Sequence, residues 1–409
     1  MNSEWRSFRL GDPDVATITL GQSPPSETYN DSGNGLPFFQ GKADFGPRSP
    51  QVRLWCSAPL RVAEPNDILI SVRAPVGDVN IADQRCSIGR GLAAIRSLRL
   101  DHEFLYYALI HAKPLLEAEG TGSTFDSINR YTLENFEITA PSDIEEQRMI
   151  ARALRAMQRA AEIEARTTVT FAALKSATMA KLFREGLRGE PLKQTEIGEI
   201  PESWEVTQCD DLCDSITVGI VVTPAKYYVP TGVACFRSFN IKPNRLQDND
   251  LVFISPESNE LHSKSKLRAG DVLVVRTGYP GTACVVPPQY DGANCIDLLI
   301  ARPKAELIDG RFLAAYLNSP EGKSQVAQQQ GGLAQQHYNV GALRRLRVPI
   351  PSPDEQIAIA NVVETIERRL AVSEQKRAKL QVLFSTLLHS LMTGAIRVKD
   401  LDLAEVSHA

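Results

Sequence analysis

At 409 residues, the chain is long enough for two to four domains with sizeable cores. Its net charge of −4, with 23% charged and 43% hydrophobic residues, is that of an ordinary globular protein and gives no global signal for nucleic acid, so any DNA-binding surface must come from local arrangement of basic residues. No apolar run approaches the roughly 20 residues of a membrane helix and no signal-peptide pattern opens the chain, so the expectation is a cytoplasmic protein with no membrane partner.

Taken from the N-terminus, the elements come twice. "SEWRSFRLGD" at 3–12, a Trp before a short polar strand, returns as "ESWEVTQCDD" at 202–211. The aromatic strand and loop "GLPFFQGKADFG" at 35–46 has its counterpart in "GVACFRSFNIKP" at 232–243. "PNDILISVRAPVGDVNIAD" at 65–83 matches "AGDVLVVRTGYPGTACVVP" at 269–287, each a β-rich run, an arginine and a glycine turn. "EFLYYAL" at 103–109 matches "RFLAAYL" at 311–317, and "FEITAPSDIEEQRMIARAL" at 136–154 matches "LRVPIPSPDEQIAIANVV" at 346–363. Preserved order over almost the whole length argues for an internal duplication.

Each copy changes period part-way. About 140 residues of short Val/Ile/Phe runs punctuated by Gly, Pro, Asn and Asp predict a twisted, mostly antiparallel sheet with a few helices. Then come proline-free stretches, Glu145 to about Glu185 and Asp354 to about Thr393, which predict two helices, each about 60 Å long, stopping at Gly186 and Gly394. Their heptads are in register. The seam includes Leu154, Met157, Glu164, Phe171 and Leu182 on the first helix and Val363, Ile366, Arg377, Leu380 and Leu387 on the second, and both seams turn polar at the same central pair of positions. Antiparallel pairing about the centres would bring Glu164 to Arg377 and Thr168 to Ser373. The expected class is α+β: two repeated globular α/β domains joined by two long antiparallel coiled-coil helices. The expected boundaries are 1–143 and 204–351 for the domains, 144–188 and 352–394 for the helices, 189–203 for a linker and 395–409 for a tail.

Catalytic signatures are missing. There is no His-Glu-x-x-His run and no Gly-x-Ser-x-Gly elbow, and no amino-methyltransferase tetrapeptide occurs. "EGKS" at 321–324 would need a glycine where Leu317 stands to be a phosphate loop. Seven cysteines, an odd number mostly in apolar stretches, read as buried thiols, and Cys209 and Cys213 lack a second pair at zinc-ligand spacing. A binding device without metal or cofactor is expected, not an enzyme.

The tandem arrangement, "GLPFFQGKADFG", the strands "DILISVRAPVG" and "DVLVVRTGYPG", and above all the helix entries "APSDIEEQRMIA" and "IPSPDEQIAIA" resemble the specificity subunit of type I restriction-modification systems over practically the full chain. The resemblance implies two target-recognition domains, each reading one half of a split duplex DNA sequence. The helices would set the spacing and dock two modification (methyltransferase) subunits; whether two restriction subunits join them is left open. Catalysis would reside on those other chains. The second helix entry is one residue shorter than the first, which affects only where the helix starts. The alternative from another class is a non-catalytic coiled-coil scaffold binding protein or polysaccharide, whose affinity would ignore salt where DNA binding would not.

Base edges are read by Arg, Lys, Asn, Gln, Asp and Glu on loops of a rigid sheet. In the first domain these are Gln40, Lys42 and Arg48 after the aromatic run of Phe38 and Phe39, Arg73 at a strand end, and Ser123, Thr124, Asn129 and Arg130. In the second they are Arg237, Ser238, Asn240 and Lys242, then Arg276 and Tyr279, then Gln335, Gln336, His337 and Asn339. Structural readings compete: strand-end salt bridges for Arg73 and Arg276, helix caps for Asn129 and Asn339, core for the phenylalanines. Leu174, Phe183, Leu383 and Leu388 lie off the helix seam and are expected to form an exposed apolar stripe for partner subunits.

Overall fold

A computed structural model describes residues 5–120, 127–221, 224–329 and 337–400. They fold as mixed helix and sheet in two compact units, residues 1–166 with 375–409, and 167–374. The boundaries fall inside two continuous helices, Ile144–Glu185 and Pro353–Met392, so each unit holds the start of one long helix and the end of the other.

In the first unit, strand Trp5–Arg9 pairs antiparallel with Glu137–Pro141. A four-stranded antiparallel sheet runs in the order Ala16–Leu20, Leu92–Ser97, Ile68–Ser71, Val79–Ile81. A five-stranded sheet carries the aromatic strand Leu36–Phe39, hydrogen-bonded parallel to Cys86–Ile88. The second unit repeats this topology with one strand fewer in the aromatic sheet: Glu205–Gln208 with Arg347–Ile350, then Cys213–Val218, Leu298–Pro303, Val272–Val275, Ala283–Val285, and Val233–Phe236 parallel to Asn294–Cys295 in a four-stranded sheet. The central strands Ile68–Ser71 and Val272–Val275 are buried at every position, which explains their unbroken apolar runs. Phe38 and Phe39 are buried too. All seven cysteines are buried free thiols, and burial pushes Cys86 and Cys235 up to about 12.

The helix entries work as clamps. Gln147, buried, accepts from the Asp101 N–H at 2.8 Å and donates to the Pro141 carbonyl at 2.8 Å. Gln356 does the same with the Asp309 N–H at 2.8 Å and the Pro351 carbonyl at 3.1 Å. The preceding glutamates, also buried, tie in the end of the other helix. Glu355 accepts from the Leu187 N–H at 2.9 Å and the Trp204 indole at 3.3 Å, while Glu146 pairs with Arg397 at 2.9 Å. Both helices end on a left-handed glycine, Gly186 (φ 63°) and Gly394 (φ 69°), and a Cβ there would lie 3.0 Å from Trp204 or 3.3 Å from Trp5.

The helices run antiparallel within each unit. In the second, Thr168 and Ser373 hydroxyls meet at 2.9 Å and Lys175 pairs with Glu367 at 2.5 Å. In the first, Glu164 pairs with Lys376 at 3.2 Å. Arg377, the partner expected from heptad counting, is exposed; the buried Glu164 is reached by the side chain one residue earlier.

Candidate nucleic-acid interface

Each buried central strand ends in a turn that is closed identically in the two units. In the first, Gly77 N–H donates to the Ser71 carbonyl at 2.9 Å and Ser71 N–H to the Asp78 carbonyl at 2.8 Å. In the second, Gly281 N–H donates to Val275 at 2.9 Å and Val275 N–H to Thr282 at 2.8 Å. Gly77 (φ 81°) and Gly281 (φ 74°) supply the left-handed backbone. Beside each turn runs the segment before a short helix: Ile128 N–H donates to Val72 at 2.9 Å, and Tyr338 N–H to Arg276 at 3.0 Å. Turn and segment thus form one two-part loop cluster per unit.

These bonds fix the equivalences. Ser71 matches Val275, so Arg73 matches Thr277, and Arg276 stands at the Val72 position. Matching arginine to arginine slips the register by one residue, and successive side chains on an extended chain point opposite ways. Arg73 is exposed and makes no ion pair among the described residues; its backbone bridges to Ser127. Arg276 is turned back and bound to Asp297, so it serves the fold. Thr277 Oγ1 instead meets the exposed His337 Nδ1 at 2.7 Å. Tyr279 stands at the turn tip, 83% exposed.

Asn129 and Asn339 both cap the helix that follows, accepting from the Thr132 and Ala342 N–H groups at 2.9 Å each. Arg130 pairs with Glu134 at 3.0 Å and remains exposed. Ser123, Thr124, Gln335 and Gln336 lie outside the described residues.

The loop after the aromatic strand is a short 3-10 turn in both units, Lys42–Asp44 and Ser238–Asn240. Its last residue holds the entry: Asp44 accepts from the Gln40 N–H at 2.7 Å, and Asn240 from the Arg237 N–H at 2.9 Å. Asn240 also donates to the Gln247 and Asn249 carbonyls at 3.1 and 3.0 Å and is fully buried, so it is a staple within the loop and not a base reader. Arg48 is likewise internal, bound to Glu103 and stacked 5.0 Å from the Tyr106 ring centre. Arg237 pairs with Asp250 at 3.2 Å, and Lys242 lies 5.0 Å from the Phe239 ring centre. Gln40 and Lys42 are exposed and Ser238 is half-buried. Sequence reasoning missed Asp44 and Asn80; Asn80 accepts from the Gly46 N–H and donates to its carbonyl, both at 3.1 Å. An Asp three residues after the loop glycine Gly41 was the available signal.

One charge network is specific to the first unit. Lys113 reaches Asp78 at 2.8 Å and Lys42 reaches it at 2.5 Å. Burial pushes the Asp78 carboxyl up, but these lysines outweigh it and hold it below the usual carboxylate range.

Of the expected partner stripe, Leu174 and Leu383 are 51% and 49% exposed. Phe183 and Leu388 are not available: Phe183 packs 5.4 Å from the Phe312 and Tyr316 ring centres, and Leu388 joins the first unit's core. Each helix end is covered by the globular part of the unit that holds that end, so positions off the seam are buried there as well.

Among the described residues no group of three or more His, Cys, Asp or Glu could hold a metal, and no helix is long and apolar enough to cross a membrane. The family model described as the type I restriction modification DNA specificity domain matches twice, at residues 2–170 and 201–382. A protein of Methanocaldococcus jannaschii named as a putative type I restriction enzyme specificity subunit is 46% identical over 163 residues, covering 39% of this chain and 38% of that relative. A type I restriction enzyme specificity subunit from the same organism is 24% identical over 74% of this chain and 72% of its own length. The crystal structure of the type I system S subunit from M. genitalium superposes with a TM-score of 0.66 at 16% identity, covering 95% of this chain and 96% of that one.

Proposed function

Because the chain belongs to the type I restriction-modification DNA specificity family and carries that domain twice, we propose that each unit reads one half of a split duplex sequence. The carrying observation is a common hydrogen-bonded frame with different side chains at equivalent places: Arg73 against Thr277, Ser127 against His337, Asp78 against Thr282. Equal frames would dock on the duplex in the same way, and the exposed unequal pair Ser127 and His337 would select different bases, with Arg73 positioning the backbone.

In this reading the chain selects DNA and other chains react with it. The long helices set the number of unread base pairs, and the exposed Leu174 and Leu383, with Val169 and Val382 at 69% and 68% exposure, offer apolar footing to two modification subunits. The complex would work in the cytoplasm, with restriction subunits where a system cleaves as well as methylates. Sequencing methylated adenines in a host carrying the chain and its partners tests the reading: a bipartite motif is expected, and a continuous one overturns it. Inserting one helical turn, about 5.4 Å, should lengthen the unread spacer, and an unchanged target would refute the ruler.

A further inference from the structure

We infer that Lys323, in the "EGKS" stretch that fails as a phosphate loop, is a backbone-phosphate contact of the second unit, playing there the part that Arg73 plays in the first. The inference rests on the DNA-reading role proposed above and adds a residue to it.

The internal repeat identifies the position. Beneath the turn glycine Gly77 lie Lys113 and Leu116, and beneath Gly281 lies Val326, so Leu116 matches Val326 and Lys113 matches Lys323. Both lysines point at the residue after the turn glycine. For Lys113 that residue is Asp78, whose carboxylate also takes Lys42, and Glu117 lies 3.6 Å from Lys113, so two carboxylates offset the two ammonium groups inside the protein. For Lys323 it is Thr282: the ammonium reaches the Thr282 hydroxyl at 3.0 Å and the Pro280 carbonyl at 3.4 Å, both neutral. An ammonium has three donors, so one remains unfilled and the full charge is uncompensated. Burial alone holds this group down to about 8, with no carboxylate to raise it. A half-buried cation without an anion beneath a solvent-facing turn is a poor arrangement for the free protein and a good one for a complex in which a phosphate arrives.

The surroundings favour DNA phosphate over a free anion. The turn carries Tyr279 at its exposed tip, and the Thr277–His337 pair beside it. Its other cation, Arg276, is committed to Asp297. In the first unit Arg73 has no ion pair among the described residues, while Lys113 is neutralised. Each turn thereby keeps a single cation without an ion pair among the described residues, Arg73 in one unit and Lys323 from beneath in the other.

The test measures how affinity of the full chain for a duplex bearing the host's methylated sequence falls with salt. Lys323→Met should reduce the slope of log affinity against log salt by about 0.9, the value of one phosphate contact on duplex DNA, and Lys323→Arg should keep it. Lys113→Met, at the neutralised counterpart, should leave the slope unchanged. Thermal melting checks that each variant folds; if Lys323→Met does not, the Arg variant and Arg73→Met, expected to lose about 0.9 as well, carry the comparison. A folded Lys323→Met with the wild-type slope, or an equal loss in Lys113→Met, overturns the assignment. Wild-type chain that does not bind the duplex would instead overturn the DNA-reading role itself.

Discussion

In the first unit Gln147 holds the Asp101 amide and in the second Gln356 holds the Asp309 amide, both at 2.8 Å. Elsewhere in each unit, the turn after the central strand is anchored through a carboxylate in one and a hydroxyl in the other. Duplication has kept the contacts that clamp the helix entries and varied those beneath the turn. The kept contacts are buried backbone bonds, for which few side chains substitute. The varied ones can change because solvent, or a ligand, satisfies them.

The largest effect should come from breaking the kept contacts. Gln147→Leu and Gln356→Leu each strand a buried amide donor and at least one carbonyl, and should lower unfolding free energy by about 2–4 kcal/mol in urea titrations. Gln356→Leu should fall at the upper end, since Gln356 also serves the Leu307 carbonyl at 3.1 Å. A negligible loss in one unit only would show that the frames are not equivalent.

The varied contacts differ in sign. Lys113, though burial opposes its charge, is raised by Asp78; Lys323 is lowered to about 8 from an ordinary 10.5. Between those two values the unfolded chain binds a proton at Lys323 that the folded chain does not, so stability rises with pH from about 8 toward 10.5. Below that window the full penalty of the buried charge is present. Allowing for solvent exposure, the rise should be about 1–2 kcal/mol. It is read as the difference between wild type and Lys323→Met, which cancels the other groups titrating there. No difference in slope would remove the asymmetry between the turns.

The cap asparagines sharpen the comparison from the other side. Asn129→Ala and Asn339→Ala should each cost about 1 kcal/mol. Asn129→Asp and Asn339→Asp keep the cap but add a negative charge to the loop cluster. Intact melting temperature with weakened DNA binding is expected for both; unchanged affinity in either would remove that segment from the interface.

Much of this frame was legible in the sequence, because buried strands and long helices write periodic patterns. The repeat order and the proline-free stretches that form Ile144–Glu185 and Pro353–Met392 could be read from residue type and spacing, whereas for Asn129 and Asn339 capping stood as the alternative to base contact. Arg73 and Arg276 show where letters mislead. Matching the glycines Gly77 and Gly281 instead, whose positive φ the turn requires, gives the register that the hydrogen bonds have. Phe183 and Leu388 looked available because heptad counting considers only the partner helix and not the domain that covers each helix end. Asn240 looked like a reader because an Asn that staples a loop and one that faces a base share the same letter.

The smallest expected effect lies at the middle of the helices, where the seam is polar. Glu164 is buried and Lys376 is more than half exposed, so their 3.2 Å pair is only partly shielded from water. A double-mutant cycle on Glu164→Gln and Lys376→Gln should give a coupling of about 0.3–1 kcal/mol. The same cycle with Arg377→Gln should be additive, because Arg377 faces solvent one residue further on. Coupling to Arg377 in place of Lys376 would mean that the helices meet in solution with the register shifted by a residue. The Thr168–Ser373 bond in the second unit gives a second register mark. Thr168→Val with Ser373→Ala should be less damaging together than the sum of the two singles, since each single leaves a buried hydroxyl without its mate.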